Sequence, residues 1–266
     1  MLHRRVDEKS LRWQALKGIV DGLRKQSYHQ FWKFKRLNMP ASTSLATDGL
    51  VKNNLAEQLR KEILGGSLKP GERIVEGKWA ARFGVAQASI REAINILIQA
   101  GFVTKAPGRS ARVIHLSESD VAHLYELRGS LEGLAARLAA KSQPSLSVLQ
   151  ATLDIMRESA RTGDREGLLD CDLLFHMELS ELSRNPYLID HARRILLPLF
   201  AFVRMRVSAS GQSPATWEKD LDAHQQIIHL IREGEGEVAE QYVKRAMERF
   251  AKTAYDHWEM RGEHAG

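Results

Sequence analysis

The chain has 266 residues, 43% of them hydrophobic and 27% charged, a composition that supports a folded core and excludes a disordered chain. One cysteine, Cys171, excludes an intrachain disulfide framework and fits a reducing, cytoplasmic setting, while the longest apolar stretch, near 195–203, is about half the ~20 residues that span a bilayer. The net charge of +6 is uneven: ten Lys or Arg against three acids in 1–39, eleven against six in 48–114, eighteen against twenty-four in 115–266, so a basic front suited to a polyanion precedes an acidic back.

Residues 1–39 combine an apolar stripe (Leu16, Ile19, Val20, Leu23) with Arg12, Lys17, Arg24 and Lys25 and the aromatics Trp13, Phe31, Trp32 and Phe34. They read as a basic arm along DNA, as a membrane-surface helix, or as a gene-model extension upstream of a start at Met39; the flexible-looking stretch from Pro40 favours the last. The division expected is an N-terminal extension over 1–46, a small domain over 47–115, a helical domain over 116–260 and a tail over 261–266.

Val51, Leu55, Leu59 and Ile63 recur every four residues and predict a helix over 50–64, stopped by Gly65-Gly66. Pro70-Gly71 turns the chain. A short helix follows over 76–83, with Trp79, Ala80 and Phe83 inward, and a second over 87–99 with Ile90, Ala93, Ile94, Leu97 and Ile98 on one side. Two β-like runs, 102–105 and 111–114, flank a basic tip, the pattern of a hairpin. Helix, short helix, tight turn, helix and hairpin is the order of a winged helix-turn-helix. A helix held out from such a core fits the roughly 12 Å major groove of DNA. Gln87, Ser89 and Arg91 sit early on that helix and off its apolar face. Gln pairs with adenine, and Arg with guanine or phosphate. With Lys78 on the preceding helix and Gly108, Arg109 and Arg112 on the wing, they are the candidate DNA contacts.

From Ser117 onward the pattern is helical. Ser117-Glu-Ser-Asp120 resembles a capping box, opening a helix whose apolar stripe runs through Leu124, Leu127, Leu131, Ala135 and Leu138. Pro144 is expected to open the next helix and Asp164 a third, which Asn185-Pro186 ends. A fourth spans 187–207, with a bend expected at Pro198, and two more cover 217–232 and 237–258. Six helices with short linkers make a bundle. The fold class is therefore mainly α, a winged helix-turn-helix joined to an all-helical bundle.

Asp172 and His176 stand four apart and share one helix face. His224 lies in register with Ile227, Ile228 and Ile231, and an imidazole on such a face needs a polar partner. A divalent metal (Zn, Mn or Ni), a carboxylate ligand or Asp172 would each serve, and so would a metal-free hydrogen-bonded pocket. Arg128 suits two-point binding of a carboxylate, or a salt bridge with Glu132 or another acid.

The run Leu59-Arg60-x-x-Ile63-Leu64-x-Gly66-x-Leu68-x-Pro70-Gly71, then Phe83-Gly84-Val85 and Ile90-Arg91-Glu92-Ala93, resembles the GntR family of bacterial transcription regulators. Leu127-Arg128-x-x-Leu131-Glu132-x-x-Ala135-Ala136, Asp172-x-x-Phe175-His176 and Asn185-Pro186 resemble its FadR-like branch, with an FCD effector domain. The resemblance spans about 50–255. It implies a homodimer, commonly a repressor, on a near-palindromic double-stranded operator, with DNA affinity set by a small organic acid and no membrane partner. It also implies that Arg128, Asp172, His176 and His224 are effector-binding. Asp172, His176 and His224 fall at three of the family's four metal positions, and the fourth is Ala246. Ala86-Gln87-Ala88 stands where relatives commonly carry Ser-Arg-Thr, which implies a different operator sequence and a helix without its usual cap. The competing functions are a metal-dependent enzyme built on Asp172, His176 and His224, and a nucleoid protein without sequence preference; no separate nucleophile or general base supports the enzyme.

Overall fold

The computed structural model describes residues 45–210 and 218–259. The expectations for the N-terminal extension up to Ser44, for Trp217 and for the tail after residue 260 lie outside these residues. Leu55, Leu59 and Ile63 are buried along α1 (Leu45–Leu64). The short helix α2 (Glu76–Phe83) buries Trp79 and Ala80 and is stopped at Gly84. Phe83 is half-buried and packs inward against the core beside Trp79, and Arg82 stacks over the Trp79 ring. Helix α3 (Gln87–Gln99) buries Ile90, Ala93, Ile94 and Leu97 against α1 and α2, and Ala86 supplies no side-chain cap at its start.

Strands β1 (Val103–Thr104) and β2 (Arg112–Val113) pair antiparallel, with Val103 opposite Val113. An isolated bridge from Arg73 to Arg112 ties the turn before α2 to the wing. Between α3 and β1 the chain turns at Gly101, φ +80°. A Cβ there would lie 2.4 Å from the Leu197 carbonyl carbon and 2.5 Å from Pro198 N, so the winged unit is seated against the bundle at a point that admits no side chain.

The bundle comprises α4 (Glu118–Ser142), α5 (Ser147–Thr162), α6 (Arg165–Leu182), α7 (Pro186–Ser210), α8 (Glu218–Arg232) and α9 (Gly236–Glu259). Ser117 and Asp120 form the expected capping box of α4. Two expectations shift by local chemistry. The helix after Pro144 begins three residues later, at Ser147. The helix expected to end at Asn185-Pro186 stops at Leu182, and the next, expected from residue 187, begins at Pro186: Asn185 Oδ1 accepts from the Tyr187 and Leu188 amides, and Pro186 takes the first helical position, where its missing N–H costs nothing.

A larger difference concerns α4. Its inward face is Val121, Tyr125, Arg128, Gly129, Glu132, Gly133, Ala135, Ala136, Ala139 and Ala140. The small residues bring α9 close: a Cβ at Gly133 would stand 3.0 Å from the Glu240 carbonyl oxygen. Of the expected stripe, Ala135 is fully buried, Leu124, Leu131 and Leu138 are half-buried and packed against the core, and Leu127 is 52% exposed. Close helix packing turned the small residues furthest inward. Among the described residues no helix is long and apolar enough to cross a membrane.

Candidate functional site

Two sets of residues carry the chemistry. The first lies at the leading edge of α3. Gln87 and Arg91 are exposed there, Ser89 is half-buried, and Lys78 on α2 is exposed beside them in sequence order. The Gln87 amide lies over α2, since a Cβ at Gly77 would stand 3.1 Å from Gln87 Nε2. Arg91 is engaged by Glu76 in a two-point ion pair, Nη2 to Oε2 at 2.8 Å and Nε to the same oxygen at 3.1 Å. Glu76 thereby holds its pKa below the ordinary carboxylate range, through the Arg91 hydrogen bond. On the wing, the Ala106–Arg109 turn is closed by Arg109 N donating to Ala106 O, with Gly108 at φ +69°. Arg109 is exposed at its tip, while Arg112 donates to the Gly71 carbonyl at 2.9 Å. Sequence reasoning missed Glu76. Its only signal was an acidic residue opening a helix.

The second set lies inside the bundle, where α4, α6 and α8 meet. Asp172 and His176 on α6 and His224 on α8 present one ligand atom each within 4.8 Å of one another. Both histidines are buried, and the Asp172 side chain is 25% exposed. The His224 Nδ1 donates to the Asp220 carbonyl, four residues earlier on its own helix, at 2.6 Å. A carbonyl only accepts, so a neutral His224 carries a lone pair at Nε2. That lone pair faces Asp172 Oδ1 at 3.1 Å and His176 Nε2 at 3.2 Å. His176 Nε2 is itself 3.2 Å from Asp172 Oδ1. Three electron-rich atoms at such distances repel unless a cation or a proton sits among them.

Behind His176, Glu132 Oε2 stands 2.8 Å from Nδ1, close in distance but poorly aligned for an N–H···O bond. The other Glu132 oxygen accepts from Arg128 Nε at 2.8 Å. Arg128 is buried over the Tyr125 and Phe200 rings. It is thus an intrahelical ion-pair partner as well as a pocket residue. Phe175 meets the His224 ring edge-on, and Phe200 lies 5.9 Å from the His176 ring. Phe175 stood in the Asp172-x-x-Phe175-His176 motif, but Phe200, Tyr125 and Asp220 were not singled out from the sequence; Tyr125 lies one turn before Arg128, the one local signal available.

The charges shift accordingly. Burial raises the Asp172 pKa, but the His176 and His224 rings beside it outweigh this, since a proton they carry is shared with the carboxylate, and they hold the carboxyl ionised far below its usual range. Burial and the Arg128 charge lower the His176 pKa, yet Glu132 and Asp172 raise it further, leaving it above the ordinary imidazole value. Burial, then the Asp172 charge, push Asp220 up to about 7. Ala246, at the position where a fourth metal ligand was sought, is fully buried and offers no donor atom.

A divalent metal fits this donor set. Each Nε2 converges with a carboxylate oxygen while each Nδ1 is backed by an oxygen, the arrangement by which proteins orient histidine ligands.

The chain matches two known families along its length. Residues 43–113 match "Bacterial regulatory proteins, gntR family", and residues 123–249 match the FCD domain. The "Nta operon transcriptional regulator" of Aminobacter aminovorans is 36% identical over 164 residues, covering 61% of this chain and 73% of that protein. The "Probable D-xylose utilization operon transcriptional repressor" of Paenarthrobacter nicotinovorans is 26% identical, covering 76% of this chain and 88% of that one. Among solved structures, E. coli McbR/YncC has the same fold, with a TM-score of 0.62 at 18% identity, over 78% of this chain and 98% of that chain.

Proposed function

The chain belongs to the GntR family of bacterial transcription regulators, in the branch with an FCD domain, and from this premise we propose that it is a ligand-responsive repressor acting as a homodimer on a near-palindromic operator. The observation that carries the DNA half is the exposure of Gln87 and Arg91 at the uncapped start of α3. Gln87 is suited to reading a base edge. Arg91, Lys78, Arg109 and Arg112 are suited to the phosphates that set register. Homodimer formation is supported by α4: Leu124, Leu127, Leu131, Leu134 and Leu138 repeat at alternating steps of three and four, and Leu127 is exposed.

The effector half rests on the buried Arg128, His176 and His224 and the partly exposed Asp172. Asp172 Oδ1 and the two Nε2 atoms would hold a divalent cation (Zn, Mn or Ni), which would supply open coordination positions to a small carboxylate. An effector that favours one arrangement of α4, α6 and α7 changes how the winged units are presented, because α7 carries both Phe200, at the pocket, and Pro198, against Gly101. The relatives are named transcription regulators, and the enzyme reading is set aside on that ground.

A binding titration on operator and random duplexes at several salt concentrations tests the DNA half. A specific site with a steep salt slope is expected. Gln87→Ala should relax preference at one base position by about 1–3 kcal/mol without changing the fold. Equal affinity for all sequences would overturn the regulator reading in favour of a nucleoid protein.

A further inference from the structure

The acid that opens α2 stands among cations from two other elements. Arg91 of α3 grips Glu76 through Nε and Nη2, which leaves Nη1 without a hydrogen bond to any described residue. The bridge between Arg73 and Arg112 lays the segment leading into α2 along the wing. Lys105, exposed just after β1 in that wing, is near enough for its charge to act on the same carboxylate. Among the described residues the Lys105 ammonium has no hydrogen bond or close ion pair of its own. Two cations on one anion leave this exposed cluster with one net positive charge.

A phosphodiester carries one negative charge on oxygens that only accept, and the free edge of the Arg91 fork and the Lys105 ammonium offer it donors from two elements. We infer that Arg91 and Lys105 form one binding site for a phosphate of the DNA backbone, between α3 and the wing, and that Glu76 is its resident anion, which lowers affinity for every duplex alike. Lys105 is thus a further DNA contact, and Glu76 is a positioning residue acting through Arg91. The inference rests on the regulator reading above for the identity of its ligand.

Glu76 acts on a bound phosphate in two opposed ways. It aligns the guanidinium, which spares Arg91 some loss of rotamer freedom on binding. It also faces the phosphate with a like charge. The Arg91 side chain is 57% exposed, so water screens the pair and the alignment is weakly held. The repulsion lasts for as long as the phosphate is bound. It outweighs the alignment, and removing the Glu76 charge therefore strengthens binding. Phosphates carry no sequence information, so the gain extends to random duplexes.

The full chain is titrated with a fluorescent random-sequence duplex over a series of salt concentrations. Lys105→Ala is expected to weaken binding about threefold to tenfold and to lower the salt slope by about one. Glu76→Gln is expected to tighten binding by about tenfold and to steepen the slope, while Glu76→Asp, which keeps the charge, stays within about threefold of the parent. Arg91→Ala combined with Lys105→Ala is expected to lose less than the product of the two single losses, because both cations serve one phosphate. An unchanged affinity and slope in Lys105→Ala overturns the inference, and so do multiplicative losses in the double variant. A folded Glu76→Gln that binds no tighter than the parent overturns the role given to Glu76. Should Glu76→Gln fail to fold, the Lys105 arms still decide the site. A parent that binds no duplex overturns the regulator reading and this inference with it. A parent that binds with a steep slope, yet is indifferent to Lys105→Ala, overturns this inference alone.

Discussion

Two arginines in this chain each grip a glutamate at 2.8 Å, and the environment makes them different devices. Arg91 and Glu76 at the front of the winged unit are 57% and 23% exposed; Arg128 and Glu132 in the bundle are 6% and 1% exposed. Water screens the first pair, so it contributes little to folding and can exchange Glu76 for a phosphate. The second pair is desolvated. Neither charge has an alternative partner in solvent, and removing one leaves the other stranded. The front is therefore organised for exchange of partners and the bundle for fixed orientation.

The largest expected effect contrasts the two arginines. Arg128→Ala should destabilise the chain by about 3–5 kcal/mol, because Glu132 keeps a buried charge without its cation. Arg91→Ala should leave the unfolding midpoint unchanged while weakening binding to all duplexes and lowering the salt slope by about one. Urea unfolding and DNA titration of both variants decide the matter, and equal stability losses would erase the contrast.

Next in size is the joint between the regions. Gly101→Ala places a methyl group against the Leu197–Pro198 backbone at a positive φ. About 2–4 kcal/mol of destabilisation is expected from the combined clash and backbone strain. A variant as stable as the parent would mean that the winged unit is not seated on α7.

The smallest effect is a pH dependence. Asp220 in the fold holds its proton up to about 7, because of burial and then the Asp172 charge, whereas an unfolded aspartate releases it near 3.8. The folded state binds more protons than the unfolded one between these values, so this group makes stability fall as pH rises through that window. Asp220→Asn should flatten that part of the stability–pH curve in the metal-free protein. An unchanged slope would assign it to another group.

Much of the molecule was legible from local pattern. The limits of α2 and α3, the Ser117 capping box and the Asp164 start of α6 follow from periodicity and capping chemistry within a few residues. Asp172 and His176 were legible because i and i+4 share a face, and His224 because a polar ring stood among isoleucines. The Asn185-Pro186 pair marked the break between α6 and α7; that the pair belongs to the start of α7 was settled by the Asn185 side chain bonding forward to two amides. Leu127 misled because an apolar stripe does not say what covers it.

The amino-acid order fixed the helices, the order of elements in the winged unit and the Asp172–His176 pair, since each is written in residues a few positions apart; that His224 joins the pair across about fifty residues was decided by the fold. Packing in three dimensions set which face of α4 turned inward, that Glu132 of α4 backs His176 of α6, and that Gly101 meets Pro198. Those contacts join segments far apart along the chain, and their free energy depends on burial, which no local spacing encodes.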